Sequence, residues 1–537
     1  MQSKGRGLLL VIAVISLSAV LGGIYGPSVR ATSASTTDIQ DSVKQFNRLV
    51  AVVQQNYTDP VDIDRAVYSG AIPGMLRVLD PHSAFFDRRQ FAILKEDQRG
   101  RYFGVGMMVA PRDGRTVVLA PFVGSPAYKA GIRPGDVILK VDDVSTAGMS
   151  NAEVADRLKG RKGTVVNITI GREGHEEPLV FTITRDEIPR HAVDHVLHVR
   201  PGIGYVRVTQ FNETTNTELS AALRQLDVAH LDGLVLDLRG NPGGLLNEGV
   251  AVADMFLEKQ QLIVYHRGRS SQERRYTAQR GNNGVSVPLV ILINGNSASA
   301  SEIVAGAIQD HDRGLIVGEA SFGKGLVQSV YGLSEDAGLA LTTARYYTPS
   351  GRLIQRDYKA VSLYDYLYNR RNGNGAPEVR QTDSGRQVFG GGGITPDEVV
   401  AAPPYNQFQQ RLLRRSVLWA FEIGVGGFTR YYLAQNPSIG KEFSVDAAVL
   451  AELRRYLDKE KIRFTEADLL ENQDWLKRRI KRELFVSVFG LQEGFKVGLE
   501  DDPQVQRAIE LLPQARALYE KARRTIAQRS GAAELPR

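Results

Sequence analysis

The 537-residue sequence contains no cysteine, which excludes disulfides, cysteine nucleophiles and thiolate metal sites. It also lacks a His-Glu-x-x-His zinc motif, which argues against a zinc hydrolase of that type. The net charge of +7 is a small difference between 67 basic and 60 acidic residues, and no basic block is interleaved with aromatic residues. We therefore expect no nucleic-acid binding. With 42% apolar residues, the chain has the composition of a globular protein of several domains.

The N-terminus carries a targeting signal. Lys4 and Arg6 precede an apolar run over residues 8–24. The run is longer than the typical core of a signal peptide, about 7–15 residues, and close to the lower limit for a membrane span. Residues 1–31 therefore predict either a cleaved signal peptide or a retained anchor at residues 8–24. Both interpretations place the body of the protein outside the cytoplasm, in the periplasm or a similar compartment, with membrane association if the anchor is retained.

The remaining chain changes pattern several times. Residues 37–99 show apolar residues at helical spacing. Short β-branched runs separated by glycine and proline turns follow over residues 100–188, which predicts a small β-rich domain. Strands and helices then alternate over residues 189–402, interrupted by a polar, glycine-rich insertion at 357–392, and this alternation indicates an α/β core. Residues 403–537 return to a helical pattern. The sequence therefore predicts a multidomain α/β protein.

Three serines compete as the nucleophile of a hydrolase. Ser297, Ser299 and Ser301 follow an apolar strand that is expected to end near Ile293. A serine at the start of the next helix lies beside unpaired backbone N–H groups and the positive end of the helix dipole. Such N–H groups can stabilise the oxyanion of a tetrahedral intermediate. Ser299 fits this position best, with the Ala300 N–H as a donor, although any of the three serines could instead be a helix cap.

A lysine between two glycines is the candidate base. Lys324 lies in an apolar, strand-like context, whereas an isolated lysine is ordinarily a surface charge. Burial would lower its pKa and let it take a proton from a serine. Gln328, four residues later, could hydrogen-bond the amine and hold it in place. The glycines of the Asp237–Gly244 turn, which ends another apolar strand, can offer a second N–H to the oxyanion, although phosphate-binding loops and plain turns look alike.

A histidine-based triad is the rival arrangement. His82 follows a proline turn and His311 follows the end of a predicted helix, and either could in principle serve a Ser–His–Asp triad. There is no Gly-x-Ser-x-Gly elbow around the candidate serines. We interpret His82 instead as a structural hydrogen-bonding residue and Asp80 as a turn-former.

The β-rich region resembles a PDZ domain of the bacterial protease type. The resemblance rests on the glycine-rich turn at residues 102–106, on Gly124-Ser-Pro-Ala127 and on the Ala130–Asp136 segment. It implies that a peptide C-terminus adds as a strand, with its carboxylate held by backbone amides of the turn. A β-domain without a ligand is the alternative. The residues expected to bind the peptide are Phe103, Gly104, Val105 and Gly106.

Residues of about 40–400 resemble the carboxyl-terminal processing peptidases, the tail-specific serine protease family. The motifs stand in the family's order: Leu79–Ser83, the PDZ frame, Asp237–Gly244, Ser297–Glu302, Gln309-Asp310, Gly318-Glu319, Phe322–Gly325 with Gln328, and Tyr347–Arg352. The resemblance implies Ser299 as nucleophile, Lys324 as base and Gln328 as its orienting partner. It implies an oxyanion hole from the Ala300 N–H and the N–H of Gly243 or Gly244. It further implies a crotonase-like or Clp-protease-like core with an inserted PDZ domain, and it implies that no ATP, no metal and no other cofactor is needed.

These observations predict an exported serine endopeptidase with a Ser–Lys dyad. It would cleave protein or peptide substrates near their C-termini after its PDZ domain binds an apolar tail. The alternative is a catalytically silent, membrane-anchored PDZ adaptor. The intact set of Ser299, Lys324 and Gln328 argues against the adaptor, because an adaptor has no need of these three residues. The sequence does not predict the oligomeric state.

Overall fold

The computed structural model describes residues 36–112, 114–172, 174–283, 285–369, 378–414 and 427–533. The chain divides after Val78 into two units. The apolar run at residues 8–24 lies outside the described residues, so its role stays an expectation. Among the helices that are described, none is both long enough and apolar enough to cross a membrane.

The N-terminal unit is helical, as its apolar spacing predicts. Helix α1 (Thr36–Asn56) contains neither glycine nor proline, so nothing in its sequence interrupts the helical hydrogen bonds. Two short helices follow, α2 (Ile63–Ala66) and α3 (Ile72–Arg77), joined by one π-helical turn over Val67–Ala71.

The predicted β-domain is a sheet with strand order β3-β4-β5-β7-β8, in which β6 also pairs with β5. Side chains of β7 alternate between the two faces of the sheet: Val166, Ile168 and Ile170 are buried, whereas Val165 is exposed. This alternation is the reason that the β-branched runs form strands. The elements are β3 (Met107–Arg112), β4 (Arg115–Pro121), α5 (Pro126–Ala130), β5 (Val137–Val141), β6 (Val144–Ser145), α6 (Asn151–Leu158), β7 (Val165–Gly171) and β8 (Leu179–Thr184).

A two-stranded ribbon marks both ends of this domain. Strand β2 (Arg101–Gly104) enters it after helix α4 (Arg88–Arg99), and strand β9 (Asp186–Pro189) leaves it. The two strands pair antiparallel, with Tyr102 opposite Ile188. The entry and exit of the β-domain therefore lie side by side, as expected for a domain inserted into another.

A six-stranded sheet with the order β10-β11-β12-β15-β16-β21 forms the centre of the core. All neighbours are parallel except β10 and β11. Strands β12 and β15 are buried along their whole length, as expected for parallel strands covered on both faces. The strands are β10 (Val193–Arg200), β11 (Ile203–Val208), β12 (Gly233–Asp237), β15 (Leu289–Ile293), β16 (Leu315–Gly318) and β21 (Glu398–Val399).

Different helices cover the two faces of this sheet. Leu234 and Leu236 of β12 pack with helices α7 (Thr215–Gln225), α8 (Leu246–Asp254) and α9 (Ala300–Asp310). The intervening Val235 points to the opposite face and packs with the C-terminal helices α15 (Leu491–Glu500) and α16 (Pro503–Ala533). The end of the chain therefore supplies one layer of the core.

The other C-terminal helices have a hydrophobic core of their own, which includes Phe408, Phe428, Leu453 and Leu484. This confirms a helical C-terminal region. The helices are α10 (Gln407–Arg414), α11 (Gly427–Gln435), α12 (Ala447–Lys459), α13 (Glu466–Glu471) and α14 (Gln473–Phe489).

A second, antiparallel core sheet has the order β1-β18-β13-β14, with β17 also paired to β18. Its first strand, β1, lies inside the segment predicted to be helical and pairs with β18 through Ala84 and Ala340. Residues 84–86 therefore belong to the core. The strands are β1 (Ala84–Phe86), β13 (Leu262–Arg267), β14 (Arg274–Thr277), β17 (Leu326–Gly332) and β18 (Gly338–Tyr347).

The 357–392 insertion is partly buried in the core. It contains a π-helical turn, Asp365–Asn369, and a hairpin of β19 (Val379–Gln381) and β20 (Gln387–Phe389). Tyr366 and Val388 are almost fully buried. With these parts in place, the structure confirms the predicted multidomain α/β architecture.

Candidate active site

Ser299 stands at the turn between strand β15 and helix α9. It immediately precedes Ala300, the first helical residue, and its φ of 54° lies in the left-handed region. A non-glycine residue in this region costs on the order of 1 kcal/mol or more, and such strain is frequent at functional sites. The Ala300 N–H has no hydrogen-bond acceptor within the described residues, as expected for the first N–H of a helix.

The other two serines of the segment are engaged in the protein interior. The Ser297 Oγ donates to the Leu238 carbonyl at 2.8 Å, and the Ser301 Oγ donates to the Asn241 carbonyl at 3.0 Å. Both side chains are fully buried, whereas Ser299 is partly exposed. Of the three candidates, Ser299 therefore has the hydroxyl that a substrate can reach.

Lys324 lies on the loop between β16 and β17. Its Nζ donates to the Gln328 Oε1 at 2.8 Å, and the Gln328 Nε2 in turn donates to the His82 carbonyl. Burial lowers the pKa of Lys324 below its usual 10.5, although the charges of Glu302 and Asp80 act in the opposite direction. A buried amine beside a neutral amide is suited to lose its proton.

Glu302 connects the serine helix to the lysine loop, a role that could not be predicted from its place in the Ser297–Glu302 motif. Its fully buried carboxylate accepts from the backbone N–H of Ser299 at 2.7 Å and of Lys324 at 2.9 Å. It also accepts from the Gly323 N–H at 2.7 Å and from the Ser321 hydroxyl at 2.5 Å. Burial raises the pKa of Glu302, while these donors oppose the rise. One carboxylate thus fixes both candidate residues through their main chains.

Tyr346 makes a second connection. Its hydroxyl lies 3.1 Å from the Ser299 carbonyl and also donates to the Lys324 carbonyl. The side chain is buried, and burial raises the pKa of Tyr346 well above 10. The hydroxyl therefore stays a donor. Tyr346 lies on β18, far in sequence from both partners, so no local pattern indicated it.

The glycine turn after β12 lies against the serine. A Cβ placed on Gly243, whose φ is 95°, would be 2.7 Å from the Ser299 Cβ and 2.6 Å from the Ala298 carbonyl, so only glycine fits. The Gly243 N–H donates to the Asn241 Oδ1 at 2.8 Å, whereas the Gly244 N–H has no acceptor within the described part of the chain. Of the two glycines predicted for the oxyanion hole, Gly244 has the unoccupied donor.

His82 lies next to this site in a structural position. Its Nε2 is 2.8 Å from the Tyr366 hydroxyl, and its backbone N–H donates to the Asp80 Oδ1 at 2.8 Å. Burial, followed by the charge of Lys324, lowers the pKa of His82 to about 4. Tyr366 comes from the insertion, which the sequence did not connect with the site.

His311 lies at the other end of helix α9. The twelve residues from Ser299 to His311 correspond to roughly 18 Å of helix. The His311 Nδ1 is 2.7 Å from the Asp383 Oδ2, and its Nε2 is 2.7 Å from the Leu262 carbonyl. This arrangement excludes a triad through His311. Within the described residues, no group of three or more histidine and acidic side chains is arranged to hold a metal ion.

The predicted peptide-binding turn lies at the free edge of the β-domain sheet. Among the described strands, β3, which follows the turn, pairs with β4 alone. The Val105 and Gly106 N–H groups have no acceptor among the described residues. A Cβ on Gly106, whose φ is 77°, would be 2.4 Å from the Ser125 Cβ. Phe103 and Gly104 instead belong to β2 and pair with β9, so their main chain is engaged in the ribbon.

Comparison with known proteins identifies two family models and several related proteins. A family model described as "Peptidase family S41" matches residues 202–360, and one described as "PDZ domain" matches residues 117–172. A carboxy-terminal-processing protease of Bartonella bacilliformis is 41% identical over 357 residues, 65% of this chain and 80% of that protein. A carboxyl-terminal-processing protease of Synechocystis is 42% identical over 292 residues, 53% of this chain and 68% of that protein. Among solved structures, a photosystem II D1 C-terminal processing protease has 31% identity and a TM-score of 0.35, and the match covers 68% of this chain and 88% of that chain.

Proposed function

The chain belongs to peptidase family S41, among the carboxyl-terminal processing proteases, and on that premise we propose that it is an exported serine endopeptidase with a Ser299–Lys324 dyad. It cleaves proteins near their C-termini after its PDZ domain has bound the substrate tail. The observation that carries the proposal is the surroundings of Lys324: a buried amine, hydrogen-bonded to the neutral Gln328, on a loop that Glu302 ties to the serine.

In the proposed reaction Ser299 is the nucleophile and Lys324 the general base. The neutral amine of Lys324 takes the proton from the Ser299 hydroxyl as the oxygen attacks the scissile carbonyl. Lys324 then gives this proton to the departing amine, which leaves an acyl-enzyme. Lys324 takes a proton from a water molecule that attacks the ester, and it then gives this proton to the Ser299 oxygen as the ester bond breaks. Gln328 keeps the amine oriented without adding a negative charge that would hold its proton.

The oxyanion forms beside two main-chain donors in this mechanism. The Ala300 N–H is the first donor, since it opens helix α9 and has no internal acceptor within the described residues. The Gly244 N–H is the second, and the Gly243 N–H would join only after release from Asn241. Each such donor contributes roughly 10²–10³-fold to the rate of comparable enzymes.

Substrate selection is assigned to the PDZ domain. An extended tail adds to the free edge of β3, and its carboxylate accepts from the Val105 and Gly106 N–H groups. Apolar side chains of the tail pack against the groove between β3 and α6. Export rests on Lys4, Arg6 and the apolar residues 8–24, which suit either a signal peptide or an anchor.

Trapping the acyl-enzyme tests the dyad. Acid-quenched reactions of the wild type with a peptide substrate should leave the acyl group on the fragment that contains Ser299, as read by mass spectrometry. Ser299→Ala should abolish both cleavage and acylation while the protein stays folded. Ser297→Ala and Ser301→Ala should retain measurable activity. Cleavage by Ser299→Ala at the wild-type rate would refute the proposal, and a folded wild type without any peptidase activity would favour the adaptor.

A further inference from the structure

A continuous cleft of about 1030 Å³ separates the PDZ domain from the C-terminal helices α14 and α15. On the PDZ side it is lined by Val105 and Gly106 of the glycine turn, by Met107 of β3, and by Ala155 and Leu158 of helix α6. These are the groups to which the proposed function assigns the substrate tail. The tail site is therefore one side of a two-sided cleft.

The opposite wall comes from the C-terminal helical region, residues 403–537, for which the sequence predicts no specific function. Val486 at the end of α14, together with Leu491 and Phe495 of α15, lines the same cleft. Phe495 stacks on His195 of β10, with ring centroids 3.5 Å apart and an angle of 7° between the planes. The His195 Nδ1 also lies 3.1 Å from the Gln492 Oε1. Helix α15 is thus attached to the protease core, so this wall is fixed relative to β10.

Apolar side chains on both walls face this cleft without being covered. Leu491 is 48% exposed, and on the PDZ side Val123 is 88% and Phe122 36% exposed. Opposing apolar surfaces around one cleft indicate a ligand that is apolar on both of its faces. An extended peptide presents successive side chains to opposite sides, so a strand added to β3 would have one set of side chains toward each wall.

We propose that helices α14 and α15 form the second wall of the substrate-tail site, with Leu491 and Val486 as residues that determine specificity. One set of tail side chains packs in the groove of α6, and the alternate set packs against Leu491 and Val486. The protein therefore selects tails with apolar residues at consecutive positions, where the PDZ domain alone would read every second residue. This inference rests on the proposed function of the PDZ domain.

Substrate kinetics with Leu491→Ser test the wall. One substrate carries a free, apolar C-terminal tail, and a second contains the same cleavage site without the tail. The variant should raise KM for the tailed substrate about tenfold, since loss of one buried leucine contact weakens binding by roughly that factor. Its kcat, and its kinetics on the tail-less substrate, should stay at the wild-type values. Leu470→Ser is the matched control, because Leu470 is exposed on α13 and does not line the cleft.

A charge exchange separates direct contact from a structural effect. Leu491→Lys should prefer a tail with glutamate at one of the alternate positions over the apolar tail, whereas a merely disturbed protein would bind both tails less well. If the wild type prefers free to amidated tails but Leu491→Ser behaves like Leu470→Ser, the second wall is refuted and the proposed function stands. If the wild type binds free and amidated tails equally, the PDZ tail site is refuted and the wall with it.

Discussion

Buried basic side chains at the two ends of helix α9 have different hydrogen-bond partners, an amide at one end and carboxylates at the other. At its N-terminal end, the Lys324 amine hydrogen-bonds the neutral amide of Gln328. At its C-terminal end, the charged side chains are paired. Arg352 contacts Asp310 at 2.7 Å, and His311 contacts Asp383 at 2.7 Å. Within the described part of the chain, positive charge therefore has an ionic partner at one end of the helix, whereas the Lys324 amine at the other end donates to an amide.

The pKa shifts of His311 and Lys324 follow this difference, whereas burial lowers the pKa of Arg352 although Asp310 opposes the shift. Burial acts to lower the pKa of His311, but Asp383 outweighs burial and the pKa is raised. Burial also lowers the pKa of Lys324, and there the nearby carboxylates of Glu302 and Asp80 do not outweigh it. The oxygens of Glu302 are occupied by backbone N–H groups. At His311 the partner carboxylate keeps the proton on a buried side chain, whereas at Lys324 a neutral amide stands in the place of such a carboxylate, which suits a base.

The largest effect is expected from Lys324→Arg, which makes the active-site cation permanent. An arginine does not lose its proton in the physiological range, so cleavage should fall roughly 10³-fold or more, the scale of a missing general base. Steady-state cleavage of a tailed peptide measures the loss, and Lys259→Arg on the exposed surface is the control. Retention of a tenth or more of the wild-type rate would contradict the role of Lys324.

Gln328→Glu would place a carboxylate beside Lys324, as Asp383 lies beside His311 at the other end of helix α9. A carboxylate at this distance raises the pKa of the amine by about two units, so cleavage at pH 7 should fall roughly 10²-fold and recover as the pH rises. Gln328→Met removes the hydrogen bond without adding charge, and its pH–rate midpoint should not rise. If the Gln328→Glu profile coincides with that of Gln328→Met, the partner's charge does not control the base.

His82 should make the folded protein less stable in acid. The pKa of His82 in the folded protein, about 4, lies below the ordinary 6.5. Its contribution to the free energy of unfolding is therefore complete above pH 6.5 and is lost as the pH falls towards 4. Between pH 7.5 and 4.5 the loss should be about 2 kcal/mol. Denaturant unfolding of the wild type and of His82→Gln at both pH values measures it. Equal pH dependence in the two proteins would contradict this assignment.

The contribution of His311 to stability should change with pH in the opposite direction to that of His82, and by a smaller amount. Its folded pKa is raised, so its contribution is complete below pH 6.5 and is lost as the pH rises through the folded pKa. Asp383→Asn removes the partner carboxylate and should cost about 1 kcal/mol at pH 6. The cost should be smaller at pH 8, where the histidine is less charged, and peptidase activity should be unchanged. A larger cost at pH 8 than at pH 6 would show that the imidazole is not the charged partner.

The parts of the fold that follow from local pattern could be predicted from the sequence. β-Branched runs marked the β5, β7 and β8 strands, and the apolar run before Asn294 marked β15, because strand formation depends on residues close in sequence. The short strand at Ala84–Phe86 could not be identified, since it exists only by pairing with Gly338–Ala340. The packing on the second face of the central sheet could not be predicted either, because this face is covered by helix α16, which is distant in sequence.

Some residues of the candidate site could likewise be predicted from local sequence, and others could not. Ser299 could be predicted because it lies where an apolar strand turns into a helix, and Lys324 because it lies between two glycines beside an apolar strand. Glu302 appears in the sequence only as a residue three positions after a serine, which is also an ordinary helix-start pattern. Tyr346 and Tyr366 reach the site from a distant strand and from the insertion. Contacts of this kind depend on the assembled fold, so no local pattern indicates them.

A measurement of the protonation state of Lys324 directly tests whether its buried amine loses its proton readily enough to act as the base. Trace acetylation of the folded protein over a range of pH, quantified by mass spectrometry of the peptide that contains Lys324, follows the fraction of neutral amine. The exposed lysines of the same molecule serve as internal references, and Gln328→Glu serves as the shifted control. We expect Lys324 to titrate below the exposed lysines in the wild type and at a higher pH in Gln328→Glu. Titration of wild-type Lys324 at or above the exposed lysines would contradict it.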